Sequence, residues 1–233
     1  MQLIFIGSSM TKRNKSCESE VMLTMQRKEL LKKSAIRHAE YYGMVEVQDA
    51  LYADSANKKI FTDLISIIGS DANIKMAYRN LKSNKGSNTP GVDGKTFKDL
   101  AEMSEEALVR CVRDKILNYQ PKAVRRVYIP KPNGKMRPLG IPTVIDRIVQ
   151  QSVLQVMEPI CEAKFYRHSY GFRPNRSTKN AVAVCYKLAQ VDGFHYVVDV
   201  DIKGFFDNVD HGKLLKQIWT LGIRDKRLSL IHI

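Results

Sequence analysis

Acidic residues are the scarce class in this 233-residue chain: 24 Asp and Glu stand against 38 Lys and Arg, a formal charge of +14. Such an excess opposes self-packing and suits a partner that carries a dense row of phosphates. Nucleic acid is therefore the leading partner class, the alternative being a merely basic soluble protein. The four cysteines (Cys17, Cys111, Cys161, Cys185) are far apart and form no Cys-x-x-Cys pair. That excludes the usual zinc spacings and a small disulfide scaffold, leaving buried or free thiols. The opening apolar run is too short for a signal peptide, and no later run nears the roughly 18 residues of a membrane span. The expectation is a cytoplasmic protein without membrane contact. With 44% hydrophobic residues, there is enough apolar material for a core.

Residues 1 to about 33 are polar and Lys-rich, which favours a frayed arm or a loosely attached helix. From Ser34 to Ile68, the apolar spacing predicts two helices that part near Gly43 or Asn57. Asp71 can cap a helix whose Ile74, Ala77, Tyr78 and Leu81 form one apolar stripe. Three glycines and a proline between Asn84 and Gly94 predict an irregular loop. A further helix is expected from Leu100 to about Asn118, with Met103, Ala107, Leu108, Cys111 and Leu117 on its buried side.

Val124 to Ile129 and Met136 to Ile141 are β-rich runs around Pro130-Lys131-Pro132-Asn133-Gly134-Lys135, and Asn-Gly is a strong hairpin signal. Between Gln120 and Ile145 there are six basic residues (Lys122, Arg125, Arg126, Lys131, Lys135, Arg137) and no acid. A protruding, purely basic hairpin suits phosphate contact, although a lysine-protected sheet edge has the same pattern. Thr143 and Asp146 form a capping-box-like start for a helix that continues to Pro159. After it, Ser169-Tyr170-Gly171-Phe172-Arg173-Pro174-Asn175-Arg176 sets aromatics beside arginines, which either stack bases and bind phosphates or simply anchor a loop. Ser177 caps the next helix, packed through Ala181, Val184, Cys185 and Leu188.

His195 to Asp201 reads as a strand whose period of two puts Val197, Asp199 and Asp201 on one face. Two carboxylates then leave the strand end side by side, ahead of a tight turn through Lys203 and Gly204 and a helix that starts near Asp210. In so basic a chain, such acids suit a divalent ion with substrate phosphates, with turn amides on the phosphate tail. The open alternative is a pair of ordinary acids bound to nearby arginines.

Taken in order, these motifs resemble one family. Ala77-Tyr78-Arg79-Asn80, Lys85-Gly86, Pro90-Gly91-Val92-Asp93-Gly94, Arg125-Arg126-Val127, Ile129-Pro130-Lys131-Pro132-Asn133-Gly134, Arg137-Pro138-Leu139-Gly140-Ile141-Pro142-Thr143, Ser169-Tyr170-Gly171-Phe172-Arg173-Pro174 and Asp199-Val200-Asp201 with Phe205-Phe206-Asp207 are similar to group II intron reverse transcriptases. The resemblance covers about residues 72–227. It implies that Asp201, with the Ile202 carbonyl, is the first Mg²⁺ ligand and catalytic acid. It also implies that Lys131, Arg137, Lys203, Gly204, Phe205 and Phe206 meet the incoming dNTP, one ring excluding a 2′-hydroxyl. Lys85, Lys122, Arg125, Arg126, Arg173 and Arg176 are then RNA-backbone contacts. In that family two more acids lie in a Tyr-Ala-Asp-Asp hairpin downstream, which does not follow here. Tyr52-Ala53-Asp54-Ser55 precedes the fingers, lacks the second Asp and reads as coincidence.

The expected fold is α+β, mostly helical with a β-hairpin and a palm strand. It divides into an N-terminal helical or flexible extension (1–70), right-hand polymerase fingers (71–194) and the start of a truncated palm (195–233). The expected function is RNA-directed DNA synthesis with a splicing (maturase) role, the chain as given being inactive alone. The partners are intron RNA, RNA template with DNA primer and dNTPs, a homodimer being a further option. The alternatives are an RNA-binding splicing factor without polymerase activity, or a reverse transcriptase of another bacterial system such as CRISPR spacer capture.

Overall fold

The computed structural model describes residues 37–130, 132 and 134–229. After helical residues 37–41, its elements are α1 (Val45–Ala56), α2 (Ile65–Ile68), α3 (Asp71–Lys82), a 3₁₀ turn (Lys85–Asn88), α4 (Phe97–Leu100), α5 (Glu105–Leu117), β1 (Arg125–Pro130), β2 (Met136–Ile141), α6 (Val144–Glu162), α7 (Thr178–Gln190), a second 3₁₀ turn (Phe205–Asn208), α8 (His211–Thr220) and α9 (Lys226–Ser229). The chain is mostly helical, with one two-stranded antiparallel sheet among the described residues. No helix among them is long and apolar enough to cross a membrane.

Helix α6 is the axis of the core. Its Ile148, Val149, Val156 and Ile160 are fully buried, and α1, α2, α3 and α5 pack around them through Leu51, Ile68, Ile74, Val112 and Ile116. Thr143 starts α6 as the spacing predicts: its Oγ accepts from the Asp146 amide at 3.2 Å and donates to the Asp146 carboxylate at 2.6 Å. The helix runs past Pro159 to Glu162 instead of stopping there. Proline has no N–H to give the carbonyl four residues back, and the Gln48 side chain of α1 supplies that missing donor to the Gln155 carbonyl at 3.1 Å.

The N-terminal helices break at both Gly43 (φ +64°) and Asn57. Helix α3 is capped one residue earlier than expected, by Ser70. The helix expected from Leu100 to Asn118 is two pieces, because Thr96 caps α4 and Ser104 begins α5 afresh. That restart turns the buried face to Leu108, Val109, Val112 and Ile116, leaving Met103, Cys111 and Leu117 exposed.

Core membership does not follow the expected division at residue 70. Leu51, Phe61, Leu64, Ile65 and Ile68 belong to the same apolar cluster as α6, and so do Ile223 and Leu228. The late segment docks on the early one through a parallel bridge: the Phe61 amide donates to the Gly222 carbonyl and the Arg224 amide to the Phe61 carbonyl, each at 2.8 Å. Buried Asp225 then takes the free amides of Leu64 and Ile65 at 2.8 and 3.0 Å, satisfying donors that the start of a helix leaves open.

The expected palm strand is not formed. Residues 193–202 have no regular structure, and Tyr196, Val198 and Val200 are largely exposed. A strand needs a neighbour for its amides and carbonyls, and β1 and β2 pair only with each other.

Packing also sorts the thiols. Burial, with Glu158 beside it, pushes the Cys161 thiol up to about 11, whereas Cys111 is exposed. Because the thiolate is the reactive form, peptide mapping after brief iodoacetamide treatment at pH 7.5 should find Cys111 modified well before Cys161. Equal rates would contradict this packing.

Candidate nucleic-acid interface

The hairpin stands out from the core on a fixed root. Its register pairs Arg125 with Ile141, Arg126 with Gly140, Val127 with Leu139, Tyr128 with Pro138 and Ile129 with Arg137. From α6, Arg147 donates to three carbonyls: Pro142 at the end of β2 (3.1 Å), Gly86 (3.0 Å) and Thr89 (2.6 Å). Arg125 Nε adds a bond to the Pro90 carbonyl at 3.0 Å. Gly91 lies so close that a Cβ there would stand 2.7 Å from the Thr143 Cα. The 85–94 loop, the hairpin root and the start of α6 are thereby held as one unit. Arg147 is the support that sequence reasoning missed, because its carbonyl partners are set only by the fold.

On that unit, Lys85, Lys122, Arg126 and Arg137 are exposed, and Arg125 is half-buried. Lys122 borders an open cleft of about 500 Å³ that Asp93, Lys95, Asp114 and Lys115 also line. Lys131 lies outside the described residues, as does its turn neighbour Asn133.

Arg173 does not fit its expected role as an RNA contact. Its side chain is only 5% exposed. Nε and Nη2 meet both oxygens of Glu162 at 2.6–3.1 Å, and Nη1 donates to the carbonyls of Tyr166 and Ser169 at 2.7 and 3.0 Å. The guanidinium also lies 5.3 Å from the Phe165 ring centre. With its donors used internally, Arg173 anchors the turn after α6. Glu162 accounts for the upward shift of its pKa. Arg176 is less enclosed: it lies 5.5 Å from the Tyr170 ring centre and donates to the Arg167 carbonyl. Phe172, in the left-handed region at φ +55°, is fully exposed.

Asp199, Asp201, Ile202, Lys203 and Gly204 are all exposed. The turn after Asp201 is built by Gly204 at φ +61° and by the Asn208 side chain, whose Nδ2 donates to the Gly204 carbonyl at 2.8 Å. Phe205 and Phe206 follow with ring centres 5.4 Å apart and nearly perpendicular. Among the described residues no three His, Cys, Asp or Glu side chains are gathered as a metal site. Asp199 and Asp201 by themselves do not fit a two-metal centre, which needs ligands around both ions.

A family model described as reverse transcriptase (RNA-dependent DNA polymerase) matches residues 129–232, from the hairpin through Asp201. Protein YkfC of Escherichia coli (strain K12) is 45% identical over 148 residues, covering 61% of this chain and 38% of that protein. Group II intron-encoded protein LtrA of Lactococcus lactis subsp. cremoris is 41% identical over 155 residues, 66% of this chain and 25% of LtrA. The putative COX1/OXI3 intron 1 protein of Saccharomyces cerevisiae is 30% identical over 176 residues, 73% of this chain and 20% of the relative. The chain thus spans well under half the length of these relatives. Residues 129–232 thus match the reverse transcriptase family, and by motif order, hairpin and sequence the chain is similar to that family's group II intron-encoded members.

Proposed function

We propose that this chain supplies the fingers and the first palm segment of a group II intron reverse transcriptase, a protein that copies RNA into DNA and binds its intron RNA during splicing. The observation that carries this reading is the exposed, purely basic hairpin fixed by Arg125 and Arg147 to the 85–94 loop. In this reading, residues 71–194 act as fingers and residues from 195 onward as palm. Lys85, Lys122, Arg125, Arg126 and Arg176 meet RNA phosphates, while Lys131 and Arg137 meet the triphosphate of an incoming dNTP. Lys203 and Gly204 shape the turn beside it, and Phe205 or Phe206 packs under its sugar. Asp201, with the Ile202 carbonyl, is the first contribution to Mg²⁺ binding, and the other acids come from outside the described residues.

The test is the salt dependence of RNA affinity. Each Lys or Arg on a phosphate releases counterions, contributing about one unit to the slope of log K against log salt. The double variant Arg125→Ala, Arg126→Ala should flatten that slope by about one to two units. The lower end applies if the bond of Arg125 to Pro90 keeps that guanidinium on the loop. A slope unchanged in the double variant would remove the hairpin from the RNA path.

A further inference from the structure

The two faces of the hairpin differ in what covers them. Pairing and alternation put Arg125, Val127, Ile129, Arg137, Leu139 and Ile141 on one face. There protein already intrudes: Arg125, Val127 and Ile141 are half-buried, and Arg125 bonds to Pro90. The opposite face carries Val124, Arg126, Tyr128, Met136 and Pro138, every one of them exposed. Val124 lies over Gly140, where a Cβ would come within 2.9 Å of its Cγ2, so only glycine leaves this layer flat at the root. Tyr128, 57% exposed, stands across from Pro138. Its ring and hydroxyl have no partner among the described residues, and neither does the Arg126 guanidinium.

We propose that this second face is a stacking platform for unpaired RNA, with the Tyr128 ring against the flat of a base and Arg126 on an adjacent phosphate. The inference rests on the nucleic-acid reading above and goes further, assigning single-stranded recognition to the side of the hairpin turned away from Arg137. Charge selects the occupant. The segment from Gln120 to Ile145 has six cations and no acid, and unpaired RNA offers both a phosphate row and exposed base faces, a combination that aromatic-plus-basic surfaces recognise with little sequence preference.

The experiment uses the whole 233-residue chain, a mixed-sequence single-stranded RNA oligonucleotide and a blunt RNA duplex of equal length. Tyr128→Ala should weaken single-strand binding about tenfold or more. It should leave the salt slope unchanged, because a stacked base releases no counterion. Tyr128→Phe, which keeps the ring, should bind like the parent, and duplex affinity should be the same for all three proteins. Arg126→Ala should lower the slope by about one unit instead. Circular dichroism checks that the variants fold, which the exposure of Tyr128 favours. If Tyr128→Ala binds single strands as tightly as a parent that itself shows salt-dependent binding, the platform is refuted and the face is open to a protein partner. A parent with no salt-dependent RNA binding refutes the nucleic-acid reading itself, and no variant is needed to see it.

Discussion

Asn73→Ala should lower the stability of the fold by about 2–4 kcal/mol, a large share of what a domain has to lose. Asn73 is fully buried. Its amide donates to the carbonyls of Ile68 and Ser152 at 2.9 and 3.0 Å, and its own oxygen accepts from Gln155 at 2.7 Å. Gln155 in turn donates to the Asn73 main-chain carbonyl and accepts from Asn80 and Gln151. His38 completes the chain at Asn80, 2.7 Å away. One amide thus joins the end of α2, the start of α3 and the middle of α6. Alanine would leave buried polar groups without partners at roughly 1–3 kcal/mol each. Urea unfolding followed by circular dichroism measures the loss; a midpoint equal to that of the parent would show the network to be dispensable.

The features legible in the sequence are those encoded within a few residues. The Asn133-Gly134 signal and its flanking β-rich runs predict β1 and β2 to within a residue. The caps at Thr143 and Ser177 stand where expected, and α8 starts beside Asp210 as expected, because an Ncap oxygen needs only the amide two or three residues on. Features that depend on distant partners were not legible. Pro159 reads as a helix end until Gln48, far away in the chain, takes over the orphaned carbonyl. Arg126 and Arg173 are equivalent as letters, yet one is exposed and the other is enclosed by Glu162 and two carbonyls. The strand expected at residues 195–201 has the right alternation but no neighbouring strand among the described residues. Asp225 carries no local signal of its role, since the amides that it receives belong to Leu64 and Ile65.

The second large effect concerns Asp201, which is exposed and forms no ion pair or hydrogen bond with a described residue. In the proposed function this carboxylate takes a cation rather than holding the fold. Asp201→Asn should therefore leave the unfolding midpoint unchanged. In a polymerising protein that contains this chain, it should lower DNA synthesis by roughly 10³-fold or more, because phosphoryl transfer depends on positioned charge.

Primer extension tests that account most directly. An RNA template, a DNA primer, dNTPs and Mg²⁺ would be given to the 233-residue chain and, in parallel, to the chain together with whatever its reading frame encodes after Ile233, each with and without Asp201→Asn. The account predicts no extension by the 233 residues alone, extension by the longer protein if that sequence supplies the further acids, and loss of that extension in Asp201→Asn. Extension by the 233-residue chain that Asp201→Asn abolishes, or a longer protein that extends primers regardless of Asp201, would contradict it.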